Sequence, residues 1–288
     1  MIKISNTTIV PIIIIGAPRS GTNILRETLT TIKNVGTWAC DEIPYIWLYG
    51  NKKHPTDLLT TEMVTPYIKK YISDQFVTIS NKIKKDYIIE KTCANSLRVD
   101  FIDIIFPRAK YIYIIRNGLD VTYSIMQRWN STFSLSYTLK KLKYVPKLDI
   151  PYYCIEFFKN RYFKKKEKNR LKFWGPRFVK EEEMSGLSLE EISAKQWVAC
   201  VERSNESFRK INSKRVFRLT YEEFVTNPQK QIEKMSKFIG VSIDDKVKFP
   251  AVNNASIGKG VKKLSSSQIE LIKPIINKTM YDNNYSCS

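Results

Sequence analysis

The chain has 288 residues with 43% hydrophobic content, enough to bury a substantial core, and no low-complexity linker or internal repeat divides it. Its longest apolar run, Ile9 to Ile15 interrupted by Pro11, is too short for a transmembrane helix, and no signal peptide is expected before it. A net charge of +20 suits a polyanionic nucleotide or an acidic acceptor, although solvated lysine-rich faces would give the same excess.

Ile12-Ile13-Ile14-Ile15 reads as a buried strand that empties into Gly16-Ala17-Pro18-Arg19-Ser20-Gly21-Thr22-Asn23 and an amphipathic helix carrying Leu25, Leu29 and Ile32 on one face. A strand, glycine turn and helix start form an anion cradle, because backbone N–H groups and the helix dipole converge there. Gly16 and Gly21 keep the P-loop spacing. Thr22, however, stands where the phosphate-reading lysine belongs and Asn23 where the magnesium-holding hydroxyl belongs, which disfavours a magnesium-dependent NTPase or kinase. Arg19 supplies a fork of cationic donors suited to an oxyanion held without metal.

Cys40-Asp41-Glu42-Ile43-Pro44 offers two carboxylates, each readable as a proton acceptor or as a cap for the helix that Pro44 begins. His54, the sole histidine, precedes a proline in a polar run and reads as a surface loop residue. Tyr87-Ile88-Ile89 is a second strand, ending at Glu90-Lys91-Thr92. Tyr111 to Ile115 is a third, ending at Arg116-Asn117-Gly118-Leu119-Asp120 before the helical Val121 to Trp129. In an open parallel sheet such carboxyl ends face one crevice. If the chain turns helical near Asp120, Arg116 and Ser124 lie about two turns apart and can grip one phosphate.

Basic residues alternate with aromatic ones from Lys140 to Trp174, which predicts a helical insertion at about residues 133–186 on the acceptor side. Farther on, Ser188 and Glu191 form a capping box, Val216 to Leu219 reads as a strand, and Asn227-Pro228 opens a helix that Gly240 closes. Strands alternating with helices predict an α/β fold: a three-layer sandwich around a mostly parallel sheet, like that of P-loop nucleoside triphosphate hydrolases. One domain over 1–288 is the simplest organisation. The cysteines at 40, 93, 154, 200 and 287 show no C-x-x-C or metal-type spacing and are expected as reduced thiols in a cytoplasmic protein.

PIIIIGAPRSGTN, EKTCANSLR and FPRAKYIYIIRNGLDVTYS together resemble the sulfotransferases that use 3′-phosphoadenosine 5′-phosphosulfate, a group that includes bacterial and carbohydrate enzymes. FRLTYEEFVTNPQKQIEKMSKFIG resembles their late strand and helix, and IGKGVKKLS their nucleotide-closing loop. The resemblance implies that Arg19, Ser20, Gly21, Thr22 and Asn23 hold the 5′-phosphosulfate, and that Arg116 and Ser124 hold the 3′-phosphate. It further implies that Tyr221, Lys259 and Gly260 complete the nucleotide site and that Lys91 stands near the bridging oxygen. The chain departs from the pattern at Asn23, Cys93, Gly118 and Val261.

The implied activity is metal-free, in-line transfer of a sulfonyl group to an acceptor hydroxyl, with a sugar as the leading acceptor. Glu42 is the favoured base, ahead of Asp41 and His54, and Lys91 and Arg19 stabilise developing charge. A P-loop phosphotransferase and a non-catalytic basic binder of polyanions are the competing readings. No nucleic-acid partner and no membrane span are expected, and the oligomeric state is left open.

Overall fold

The computed structural model describes residues 9–129, 141, 143–167, 174–244, 249–252 and 254–286, and for 160–167 the backbone alone. Strand β1 (Val10–Ile15) lies at the centre of the sheet. Its side chains alternate between faces, so Ile13 and Ile15 enter one apolar cluster while Ile12 and Ile14 enter another. Both faces of the sheet are covered, which is why this strand is a continuous isoleucine run rather than an alternating one.

Strands β2 (Val35–Gly36), β3 (Tyr87–Glu90), β4 (Lys110–Ile115) and β5 (Val216–Thr220) join it in the order β2-β3-β1-β4-β5, with every described pairing parallel. The predicted α/β architecture with a parallel sheet is therefore present. The helices of the first half are α1 (Thr22–Leu29), α2 (Pro44–Trp47), α3 (Pro66–Ile83), α4 (Val99–Ile105) and α5 (Gly118–Trp129). Those of the second half are α6 (Ile150–Glu167), α7 (Leu189–Phe208), α8 (Tyr221–Thr226), α9 (Pro228–Ile239), α10 (Lys259–Lys263) and α11 (Ser266–Asp282).

One face of the sheet packs on α2, α3 and α4. Phe76 of α3 sits in an aromatic nest there, its ring centroid 4.7 Å from Trp38 and 4.6 Å from Phe106. Such pairs add about 0.5–1.5 kcal/mol beyond area burial. On the other face α1, α8 and α9 cover Ile12 and Ile14. A third cluster joins α5, α7 and α11 through Trp129, Trp197, Ile276 and Met280.

Several boundaries follow the local chemistry. The Ser188–Glu191 capping box starts α7, and α9 runs from Pro228 to a left-handed Gly240, as the sequence predicts. Helix α1 ends at Leu29, so Ile32 reaches the core from the turn beyond it. Helix α5 begins at Gly118, earlier than expected, because the Asn117 side-chain oxygen accepts from the amides of Leu119 and Asp120 and so caps it.

Of the expected insertion, α6 is helical, while residues 133–140, 142 and 168–173 lie outside the described residues. Cys40, Cys93, Cys154 and Cys200 are free thiols, and Cys287 is outside the described residues. No described helix is long and apolar enough to cross a membrane.

Candidate active site

The order of the sheet reverses at β1, which opens a crevice beyond the carboxyl ends of β1, β3 and β4. The loop after β1 leaves close against the end of β4, a fit that needs glycine at residue 16. A Cβ there would lie 2.7 Å from the Ile114 carbonyl oxygen. Arg19 adopts a left-handed φ of 69° and Gly21 one of 91°, and a strained non-glycine residue of this kind points to a functional loop. Ser20 is fully buried, yet its hydroxyl has no hydrogen-bond partner. An orphaned buried hydroxyl costs about 1–3 kcal/mol, a cost that an anionic oxygen accepting from it would remove. The cradle therefore fits a phosphate or sulfate group. Thr22 is buried at the start of α1 with its hydroxyl 3.8 Å from the Cys93 sulfur, whereas Asn23 is exposed on the first turn.

Arg19, Arg116 and Ser124 meet. Arg19 Nε donates to Ser124 Oγ at 3.0 Å, and Arg116 Nη1 donates to the Arg19 carbonyl at 3.1 Å. Tyr221 closes the side of this junction, its ring centroid 4.3 Å from the Arg116 guanidinium carbon, a cation–π contact. The same ring lies against the loop, where a Cβ on Gly21 would come within 2.4 Å of Tyr221 Cδ2. Burial first, and then the neighbouring charges of Arg128 and Arg116, lower the Arg19 pKa. Cations crowded in this way favour an anion between them.

Arg116 also donates to the Asp120 carboxylate at 3.3 Å and to the Ser256 carbonyl, while its Nε is buried without a partner. Asp120 in turn accepts from the backbone amides of Gly258 at 2.9 Å and Gly260 at 2.6 Å. Lys259 is exposed between them, at the start of α10.

The loop after β3 supplies a second cluster. Lys91, only 3% exposed, donates to Glu42 Oε1 at 2.9 Å, and the Cys93 amide donates to the same oxygen at 3.3 Å. Lys141 stands 3.7 Å from Glu42 Oε2 and 3.8 Å from Asp41. Burial alone would raise the Glu42 carboxyl, but the ammonium groups of Lys91 and Lys141 outweigh it and hold the carboxyl down at about 2. Neither carboxylate caps α2. The capping position is Ile43, without a side-chain bond, and its amide instead donates to Thr92 Oγ1 at 3.1 Å. His54 is occupied in its own loop, its Nδ1 2.9 Å from the Thr56 carbonyl oxygen.

Thr92 links this cluster to Glu90, at the end of β3. The Thr92 hydroxyl donates to Glu90 Oε1 at 2.5 Å and Asn95 Nδ2 donates to Oε2 at 2.6 Å, so Glu90 orients the residue that holds the amide next to Glu42. Burial raises the Glu90 pKa from 4.5 to about 7, against the opposing bond from Thr92. The folded chain thus keeps a proton that the unfolded chain has released, so this contribution to stability is full below pH 4.5 and is lost as pH rises through about 7. Glu90→Gln is expected to flatten that decline, as read by chemical denaturation of both proteins at pH 4.5, 6 and 7.5; parallel curves would refute the buried titration.

Sequence reasoning brought Arg19, Ser20, Thr22, Arg116, Ser124, Tyr221 and Gly260 to one crevice and paired Lys91 with Glu42 only by role. It gave no part to Asp120, Lys141 or the Cys93 amide. Asp120 carried one usable signal, a carboxylate four residues after Arg116 where the chain was expected to turn helical. The arrangement can hold an extended dianion between the two arginines and presents a carboxylate beside a buried ammonium.

A family model described as a sulfotransferase domain matches residues 10–283. No curated protein matches the chain. Among solved structures, the sulfotransferase domain from the curacin biosynthetic pathway superposes with a TM-score of 0.57 at 12% identity, over 98% of this chain and all of that one. The sulfotransferase domain of the Synechococcus PCC 7002 olefin synthase gives 0.53 at 14% identity, over 99% of this chain and 98% of that one. The sulfotransferase of Alicyclobacillus acidocaldarius gives 0.53 at 13% identity, over 98% of both chains. At these identities the structural likeness establishes the fold.

Proposed function

This chain belongs to the sulfotransferase domain family, and on that premise we propose that it transfers a sulfonyl group from 3′-phosphoadenosine 5′-phosphosulfate to an acceptor hydroxyl, within a single domain. The observation that carries the choice of co-substrate is the junction of Arg19, Ser124 and Arg116 beside the unpartnered Ser20 hydroxyl. In this reading Arg19, Ser20, Gly21, Thr22 and Asn23 receive the 5′-phosphosulfate. Arg116, Ser124 and Lys259 receive the 3′-phosphate, with Tyr221 and Gly260 shaping the pocket. Thr22 and Asn23 occupy the positions a P-loop gives to its lysine and its magnesium-binding hydroxyl, so this donor set neutralises charge with guanidinium and ammonium groups rather than a divalent ion.

The co-substrate supplies an activated sulfonyl group. Glu42 removes the proton of the acceptor hydroxyl, whose oxygen forms the new bond to sulfur as the bond to the bridging oxygen breaks. Arg19 and Lys91 stabilise the negative charge that accumulates on the sulfonate and the departing phosphate. While Lys91 holds Glu42, the carboxylate is a weak base; as Lys91 turns its charge toward the departing oxygen, Glu42 becomes a stronger one. A sugar is the leading acceptor. The contact of Tyr153 on α6 with Tyr45, ring centroids 4.5 Å apart and three residues past Glu42, supports an acceptor-side role for the insertion.

Adenosine 3′,5′-bisphosphate is expected to raise the melting temperature in the absence of magnesium, and ATP to do so far less. At a hundredfold excess over Kd the stabilisation is about 2.7 kcal/mol, or roughly 2–4 °C per kcal/mol for a chain of this size. Stabilisation by ATP only with magnesium would favour a phosphotransferase. Indifference to every nucleotide would favour a polyanion binder.

A further inference from the structure

We propose that Asp120 is a positioning residue for recognition of the 3′-phosphate: one buried carboxylate fastens the 256–260 segment to the start of α5, so that Lys259 and Arg116 act on the same group. This inference rests on the nucleotide reading above and adds a residue to which that reading gives no role. Asp120 is 1% exposed. Its Oδ1 takes the Gly260 amide at 2.6 Å, while Oδ2 takes the Gly258 amide at 2.9 Å and Arg116 Nη2 at 3.3 Å. The same Arg116 Nη2 also donates to the Ser256 carbonyl of that segment.

Three features make this a built joint rather than a chance contact. The bonded amides flank Lys259, so their capture fixes the backbone on both sides of that side chain. Gly260 packs so closely on α5 that a Cβ would lie 2.4 Å from the Leu119 carbonyl carbon and 2.6 Å from the Asp120 amide. Asp120 also aligns Arg116 itself, four residues before it and a predicted phosphate ligand. Loss of the carboxylate would release the closing segment and the arginine together.

Simple electrostatics gives the opposite expectation, which makes the test decisive. Asp120 is an anion beside a phosphate site, so if it acted only through its charge, Asp120→Asn would tighten nucleotide binding. The positioning role requires weakening, and only for ligands that carry the 3′-phosphate. Calorimetry on the full chain should show Asp120→Asn binding adenosine 3′,5′-bisphosphate at least tenfold more weakly, with adenosine 5′-monophosphate changed less than twofold. A general packing defect would weaken both ligands in parallel.

Gly260→Ala is the second variant, and it should show the same selective loss, because it lifts the segment while leaving the carboxylate intact. Hydrogen exchange without ligand should show the Gly258 and Gly260 amides losing protection in Asp120→Asn while β1 and β4 keep theirs. Tighter binding, parallel loss for both nucleotides, or unchanged protection at Gly258 and Gly260 would each overturn the proposal. If the wild-type chain itself fails to prefer the bisphosphate over the monophosphate, the nucleotide reading fails, and the role of Asp120 in phosphate recognition falls with it. The exchange result then reports on the joint alone.

Discussion

Glu42→Gln is expected to lower turnover by about 10²- to 10⁴-fold, the usual contribution of a positioned general base, with little change in nucleotide affinity. The substitution is nearly isosteric, and its amide oxygen can still accept from the Cys93 N–H that now reaches Glu42 at 3.3 Å. It removes the negative charge opposite Lys91, so the lysine remains available to the nucleotide. Single-turnover rates should therefore fall while calorimetric Kd values for adenosine 3′,5′-bisphosphate stay close to wild type. Turnover that survives intact would move the base elsewhere, first to Asp41, which shares Lys141 with Glu42. The variant should also lose acid sensitivity. The Glu42 carboxyl is depressed from 4.5 to about 2, so its ion pair contributes stability above pH 4.5 that disappears as pH falls toward 2.

Arg116→Ala is expected to act on binding rather than on chemistry. Each hydrogen bond to a charged group is worth about 1.5–3 kcal/mol, so loss of a two-pronged grip on phosphate weakens binding by about 10²-fold or more. The loss should appear with adenosine 3′,5′-bisphosphate and be nearly absent with the 5′-monophosphate. Arg116→Lys should recover only part of it, because an ammonium keeps the charge but not the fork. Removing the guanidinium also strips Asp120 of its counter-ion and Tyr221 of the cation over its ring, so a lower melting temperature accompanies the binding defect. Full affinity for the bisphosphate in Arg116→Ala would remove this arginine from the phosphate site.

What could be read in advance was whatever depends on neighbours along the chain. The isoleucine run, the glycine spacing, the Ser188–Glu191 box and the Pro228 to Gly240 helix are local patterns, and each appears where expected. Helix α3 escaped notice although Thr65 caps it and Pro66 begins it. Its isoleucines, valine and threonine are poor helix formers, and burial of Ile68, Ile72 and Phe76 against the sheet decides its conformation. Helices α4 and α11 were missed as well. In the site, the cationic residues stand in recognisable strings, but the partners that orient them do not. Glu42 meets Lys91 across 49 residues and Asp120 meets Gly260 across 140, separations that no periodicity records. The left-handed backbone of Arg19 is likewise not written in its residue type.

The span from Asp120 to Gly260 bears on when the protein becomes competent during its synthesis. Strand β1, the first loop and Arg116 have all left the ribosome while residue 260 is still to be added. Parallel pairing and such distant contacts form late in folding because closing large loops precedes any reward for doing so. A nascent chain can therefore own most of its sheet and both arginines and still lack a closed pocket, which forms only once the segment around residue 260 has been added.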